Sequence, residues 1–402
     1  MSDPPRPSTW PRVTLPRTLE AALLRGHPWV YRDHVGGALD APSGAVCELS
    51  CGRFRGFALW DAASPIALRI VSRRRAPDAA LVRARVEQAW ELRASVRAAG
   101  TTAYRWLNGE GDGLPGVVVD VYARFAVLVT YADAVEPLVP WVVDALERVA
   151  VERAGAPLAG ISRRARGGVG ESSLVGLRGR PPPARLVVEE HGVRMLAELA
   201  HGQKTGLFLD QRDNRRYLAG HAGGRSVLNL FGYTGGFAVH AAVAGASRVT
   251  SVDVAPEATE AARENLRLNG VDPDAHELVT ADVFDYLTDA GRRAQRWDLV
   301  ISDPPSFARR REGAKKAARA YERLAAACVG VTEAGGFLAA ASCTSQVGPP
   351  AFRDAVAAGV ARAGATFQIV HDAAHAADHP VACGHPEGRY LKLLFGRVLP
   401  RD

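Results

Sequence analysis

Cys343 stands near the end of LAAASCTSQ, Leu338 to Gln346, a run of small residues with one thiol. Two readings fit it on the residues alone. Free cysteine is among the most buried residue types and packs as a small hydrophobe; deprotonated, the same sulfur is a nucleophile. Upstream, three acids each close a short β-rich run: Asp253 in RVTSVD, Asp282 in HELVTAD and Asp303 in WDLVISD. Before them lies a glycine-rich turn, NLFGYTGGFAVH, Asn229 to His240. There Gly235 and Gly236 can bring backbone N–H groups close to a ligand carboxylate or phosphate at a helix start. The turn is not a G-x-G-x-x-G fingerprint. Asp253 follows it by about twenty residues, the spacing at which an acid accepts both hydroxyls of a ribose. Asp282 can accept the amino group of an adenine, or serve as an ordinary helix cap. Acids ending consecutive strands beside a glycine turn outline an adenosine site.

The fourth of these runs continues as VISDPPSF, Val300 to Phe307. Pro304 and Pro305 fix φ and remove two donors, which leaves a stiff loop with outward carbonyls. Phe307 can stack on a planar base. Other constellations are weaker. Cys47 and Cys51 have a zinc-like spacing, but on one strand they stand ~13 Å apart, so packing is expected. His371, His375, His379, Cys383 and His385 crowd the tail, yet Pro380 interrupts any helix that would align them on a metal. No metal is expected. GQKTG lacks the upstream glycine of a phosphate-binding loop, so nucleotide hydrolysis has no support.

The elements that must position these residues follow from periodicity. After about residue 200, RSVLNLF, RVTSVD, HELVTAD, WDLVISD and GGFLAAAS alternate with helical stretches such as PEATEAARENLRLNG. Alternation of this kind predicts a parallel, doubly wound α/β sheet, whose ligands bind past the carboxyl ends of the strands. Residues 12–75 read instead as short strands between Gly, Pro and Asp turns, a small barrel. A helix at about 80–100 and an α+β stretch with a helix near 136–153 come next, and RRARGGVGESSLVGLRGRPPPAR reads as an exposed loop. Length suits two or three domains, here 1–78, 79–200 and 201–402.

Apolar content of 47% with 23% charge fits a globular protein. The apolar runs fall short of the ~18 residues of a membrane span, and MSDPPRPSTWPR carries no hydrophobic signal core. Five cysteines without a paired framework suit a reducing compartment. The cytoplasm is therefore expected. Net charge is +7, and residues 1–75 hold eleven arginines and no lysine against six acids. That bias admits both codon usage and attraction to a polyanion.

The motifs, in order, are LLRGHPWVY, GEGDGLPGVVVD, EEHG, HGQKTGLFLDQRDNR, NLFGYTGGFAV, SDPPSF, SCTS and DHPVACGHPEGRYLK. Across nearly the whole chain they resemble a class I S-adenosylmethionine-dependent methyltransferase, specifically the bacterial 23S rRNA cytosine-C5 methyltransferases of the RlmI type. The resemblance implies a Rossmann-like methyltransferase domain, an N-terminal PUA-like β-barrel that binds RNA, and a central α+β domain. It implies S-adenosyl-L-methionine as cofactor, with Gln211, Arg212, Phe231, Tyr233, Gly235, Asp253, Asp282 and Asp303 around it and Arg212 paired with the methionine carboxylate. It places the family's nucleophile at Cys343, which turns the reading of that thiol from packing to catalysis. Asp303 then meets the N3 edge of the cytosine, and Pro304, Pro305 and Phe307 meet the base. His379 is a weak candidate for the group that removes the C5 proton.

The implied partner is 23S rRNA or a large-subunit precursor, with no membrane; a homodimer is compatible with the sequence. Two alternatives stand beside this reading. A guanine methyltransferase, acting at the exocyclic N2 or at N7, shares the Asp-Pro-Pro-aromatic loop but needs no cysteine after strand five. A noncatalytic RNA-binding protein has no use for Asp253, Asp303 and Cys343 together.

Overall fold

The computed structural model describes residues 10–37, 39–164, 174–200, 202, 205–308 and 310–401. Two compact units are formed: Met1–Val188 with Ala197–Leu209 and Ala377–Gly388, and Glu189–Leu196 with Asp210–Ala376 and Arg389–Asp402.

The first unit holds two five-stranded sheets. One is built from Arg12–Thr14, Trp29–Tyr31, Val46–Cys51, Phe54–Trp60 and Ile66–Ser72. Strand Val46–Cys51 buries every second residue, so Cys47, Leu49 and Cys51 all face the core. Burial pushes the Cys47 thiol up to about 11, and Cys51 Sγ donates to the Pro16 carbonyl at 3.1 Å. Both thiols are packing groups. The second sheet carries helices Ala79–Leu92 and Val139–Ala154 on a core that includes Trp106, Val119, Leu128 and Leu146. Asp78 caps the first of these helices by accepting from Leu81 N, and Gly155 ends the second at φ +71°.

Arg93 is fully buried here, paired with Asp112 at 2.6 and 2.7 Å and donating to the Asp378 carbonyl at 2.8 Å. Segment 377–388 thus belongs to the first unit although the chain reaches it late. The stretch read as one exposed loop contains a strand, Leu174–Gly179, antiparallel to Gly160–Arg164. Its residues are half-buried or exposed throughout, so no alternation marked it. The middle of that stretch, 165–173, lies outside the described residues, as do Gln203 and Lys204 of GQKTG.

The second unit is a seven-stranded sheet: β1 Ser226–Leu230, β2 Arg248–Asp253, β3 Glu277–Thr280, β4 Trp297–Ser302, β5 Thr332–Ser342, β6 Ala365–Ala373 and β7 Lys392–Pro400. Its order is β3-β2-β1-β4-β5-β7-β6. Among the described residues, six α-helices accompany it: α1 Arg212–Ala219, α2 Gly236–Val243, α3 Pro256–Leu268, α4 Val283–Arg292, α5 Ala314–Gly330 and α6 Pro349–Arg362. Strands β1 to β5 are parallel, as the alternation predicts. The sheet as a whole is mixed, because β7 inserts antiparallel between β5 and β6. Order reverses between β1 and β4, and such a switch point opens the ligand crevice at the carboxyl ends.

Candidate active site

The turn after β1 is held in a costly backbone. Phe231 and Tyr233 have φ of +58° and +45°, two of the five non-glycine residues with positive φ among those described. Left-handed backbone is uncommon for bulky side chains and marks sites over-determined by their surroundings. Gly235 follows at φ +81°, where a Cβ would stand 2.8 Å from that of Ala262. Asp253, at the end of β2, fixes this loop. Its Oδ2 accepts from Tyr233 N at 2.8 Å and its Oδ1 from Ala255 N at 3.0 Å. Each oxygen retains acceptor capacity for a hydroxyl.

Beneath the loop, Glu190 is wholly buried and accepts from Arg215 Nε at 2.9 Å and Nη2 at 2.7 Å, with His240 Nε2 of α2 at 3.5 Å. Burial alone would raise the Glu190 carboxyl; Arg215 and His240 outweigh it and bring it down to about 2. A Cβ on Gly236 would come within 3.1 Å of Arg215 Cδ. The EEHG segment therefore supports the glycine turn from below. Asp282 caps α4, its Oδ1 accepting from Phe284 N and Asp285 N at 2.8 and 3.2 Å.

At the ends of β4 and β5 two loops are laced together. Asp303 Oδ2 accepts from Gln211 Nε2 at 2.9 Å, and Gln211 Oε1 from Asn214 Nδ2 at 2.6 Å. Cys343 directly follows β5, half-buried, with Sγ 4.0 Å from the Pro304 carbonyl. The neighbouring Thr344 hydroxyl accepts from Phe307 N at 3.2 Å and meets Ser306 Oγ at 3.3 Å and Tyr321 Oη at 2.7 Å. Ser342 Oγ donates to Tyr321 Oη at 2.9 Å. Burial pushes the Tyr321 phenol up to about 12, so it stays neutral as a hydrogen-bonding hub. Phe307 packs on the Tyr321 ring at 4.9 Å between centroids. Lys392, at the start of β7, is buried; Nζ donates to the Thr344 carbonyl at 2.7 Å and the Tyr390 carbonyl at 2.9 Å.

The residues expected from the sequence thus fall along the strand ends of one unit: Phe231, Tyr233, Gly235, Asp253, Asp282, Asp303 to Pro305, Phe307 and Cys343. Gln211 joins them through Asp303. Arg212 is fully buried, with Nε on Asp213 Oδ1 at 3.1 Å. Sequence reasoning missed Asn214, Tyr321, Thr344 and Lys392. Thr344 adjoins the cysteine, and Lys392 is one of only four lysines in an arginine-rich chain; only pairing across strands reveals that they meet.

The tail histidines do not form a metal site. His371 stacks on Tyr217 at 3.8 Å, His375 Nε2 accepts from Leu391 N, and His379 Nδ1 lies 2.9 Å from Asp378. Among the described residues no three potential ligands cluster.

Comparison with known proteins agrees with this geometry. Residues 161–383 match the S-adenosylmethionine-dependent methyltransferase family and residues 13–73 a PUA-like domain. Ribosomal RNA large subunit methyltransferase I of Klebsiella pneumoniae (strain 342) is 34% identical over 98% of this chain and 99% of its own. The protein of that name from Shigella boydii serotype 18 is 34% identical over 96% and 99%. The solved structure of SMU.776, a candidate methyltransferase complexed with SAH, superposes with a TM-score of 0.85 at 26% identity, covering 96% of this chain and all of that one. The chain belongs to the S-adenosylmethionine-dependent methyltransferases, in the group that includes ribosomal RNA large subunit methyltransferase I.

Proposed function

We propose that this enzyme methylates C5 of a cytosine in 23S rRNA, with Cys343 as the nucleophile. Bound S-adenosylmethionine supplies the methyl group on an electrophilic sulfonium. C5 of cytosine is a poor nucleophile until a group adds at C6. The Cys343 thiolate forms that bond, electron density moves onto C5, and C5 takes the methyl. Loss of the C5 proton then lets the S–C6 bond break. One observation carries the reading: Cys343 is half-buried at the end of β5 beside the Pro304 carbonyl. Cys328, on α5, is by contrast wholly buried, and burial pushes its thiol up to about 12.

The donor chemistry of the crevice suits the cofactor. Asp253 accepts from the ribose hydroxyls, Asp282 from the adenine amino group with the capacity its cap leaves, and Phe231, Tyr233 and Gly235 shape the turn around the methionine part. Gln211 and Arg212 act on that part too, Arg212 by its charge. Asp303, oriented by Gln211, meets the N3 edge of the cytosine, while Pro304, Pro305 and Phe307 form the wall against the base.

Residues 1–78 are assigned as the RNA-binding module, 79–200 as the central domain and 201–402 as the methyltransferase domain, except that 189–196 pack with the methyltransferase unit and 201–209 and 377–388 with the first. A cleft of about 390 Å³ lined by Ser72, Arg73, Arg74, Arg75, Arg85 and Gln88 suits RNA phosphates. No helix among the described residues is long and apolar enough to cross a membrane; the cytoplasm is the proposed compartment.

RNA carrying 5-fluorocytosine tests the mechanism, because fluorine cannot leave as a proton and the adduct is trapped. Methylation with a stable adduct on Cys343 is expected, absent in Cys343→Ala and retained in Cys328→Ala. If Cys343→Ala still forms 5-methylcytosine at a comparable rate, the nucleophile is elsewhere; a methylated guanine as product would point to the guanine enzymes instead.

A further inference from the structure

Lys392 takes part in none of the chemistry above, yet it is 3% exposed on a strand start whose neighbours Leu391, Leu393, Leu394 and Phe395 are all buried and apolar. An ammonium in such surroundings is expensive unless it is paired or hydrogen-bonded. In the sheet Lys392 lies opposite Ser342, one residue before the thiol. Two of its three N–H donors go to backbone carbonyls, and one of these is the carbonyl of Thr344, one residue after the thiol. The cation therefore clasps the short loop on which Cys343 sits. A hydrophobe of similar length would fill the same space without placing a charge there.

We propose that Lys392 is the positioning residue for the nucleophile: its ammonium fixes the Cys343 loop through Thr344 and favours the Cys343 thiolate. This rests on the reading of Cys343 as nucleophile. Among the described residues, the titratable groups near the loop include Asp303 at the end of β4, Tyr321 from α5, Tyr390, whose Oη donates to Asp210 at 2.6 Å, His375, which packs on the Tyr390 ring and accepts from Leu391 N, and Lys392 itself. Of these, Lys392 is the one that bonds the loop's own backbone. Asp303 precedes the carbonyl that faces the sulfur and disfavours a second negative charge there; Tyr321 is neutral. The ammonium offsets both Asp303 and the desolvation of the thiolate. Burial drives Lys392 down to about 8, and attraction to Cys343 works against that fall, so it is still a cation at neutral pH. In the reaction the thiol gives its proton to solvent and its electron pair forms the S–C6 bond. The C5–C6 π pair moves toward C5 and bonds the methyl carbon as the methyl–sulfonium bond breaks, its pair staying on the sulfur of the departing S-adenosylhomocysteine. After the C5 proton passes to solvent, the S–C6 pair returns to sulfur beside the same cation.

The test uses the full chain without RNA or cofactor. Alkylation of Cys343 by iodoacetamide is followed against pH, read on the Cys343 peptide by mass spectrometry, in the unaltered chain, Lys392→Met and Lys392→Arg. In Lys392→Met the midpoint is expected to rise by a pH unit or more, cutting the rate at pH 7 about tenfold, with the high-pH plateau unchanged. Lys392→Arg keeps the midpoint near that of the unaltered chain. A Lys392→Met protein that binds S-adenosylmethionine normally but shows an unmoved midpoint overturns the proposal. So does a midpoint in the unaltered chain at or above that of an unstructured cysteine peptide, a result that needs no variant to fold. Continued 5-methylcytosine synthesis by Cys343→Ala would instead remove the proposed mechanism, leaving the alkylation curves to report on the thiol alone.

Discussion

Asp253 is organised before any ligand arrives, because two backbone amides already aim its carboxylate. A preset acceptor loses little entropy on binding, so its removal is felt in full. Asp253→Ala should weaken S-adenosylmethionine binding by about 1.5 to 3 kcal/mol, the range for hydrogen bonds to charged groups, read by calorimetry; unchanged affinity would place the ribose elsewhere. Thr344 offers a contrasting case. Its hydroxyl joins Phe307 N, Ser306 and Tyr321, on the side of the crevice where the proposed mechanism seats the base. Thr344→Val removes one hydrogen bond from each of those partners, at about 1 to 3 kcal/mol, although Tyr321 keeps Ser342 and Ser306 keeps the Ala308 carbonyl. It should lower kcat roughly tenfold while leaving cofactor affinity intact; equal losses in both would show that the two loops are one structural unit.

Among the elements, the strand-end acids and the glycine turn were legible because each is a local signal, a polar or glycine residue closing an apolar run. Three features were not. The left-handed backbone at Phe231 and Tyr233 brings Tyr233 N onto Asp253 twenty residues on, and no local propensity announces it. Strand β7 reads as one more apolar run, and its antiparallel insertion is a tertiary fact. Lys392 and Thr344 meet only because of that insertion. The EEHG segment was legible as a family mark but not as a mechanism. Glu190 is a buried counter-charge that ties α1 and α2 together through Arg215 and His240. Its carboxyl sits at about 2 in the fold against an ordinary 4.5, so the folded state binds fewer protons than the unfolded chain between those values. The stabilisation is complete above about pH 4.5 and is lost as pH falls toward 2. Glu190→Gln removes the carboxylate counter-charge of the buried Arg215 and should cost about 3 to 5 kcal/mol at neutral pH. It should also flatten the acid limb of urea-unfolding stability. An acid limb as steep as that of the unaltered chain would remove Glu190 from this role.

At the scale of the whole molecule, a methyltransferase acting on a polyanion needs charge that holds the backbone without choosing the base. The cleft at Ser72 to Arg75 is the place to measure it. Each phosphate contact to single-stranded RNA adds about 0.7 to the slope of log affinity against log salt. The double variant Arg73→Ala, Arg74→Ala should reduce that slope by roughly 1 to 1.5 and leave S-adenosylmethionine affinity unchanged. An unaltered salt slope would move the phosphate path off this cleft.

Segment 377–388 and strand β7 also set an order of assembly. Ribosomes deliver β5 early and β7 late, and between them comes a stretch that the first unit needs for itself. Asp378 accepts from Arg105 N at 2.8 Å through its carboxylate and from Arg93 through its carbonyl. Neither unit can therefore finish before residue 377 has been made. The first waits for Asp378 to neutralise its interior donors, and the second keeps the edge of β5 bare until β7 arrives. Bare apolar edges invite pairing with other chains. In a nascent chain halted before residue 377 the edge of β5 is still open, and the thiol loop is completed only when Lys392 has been added.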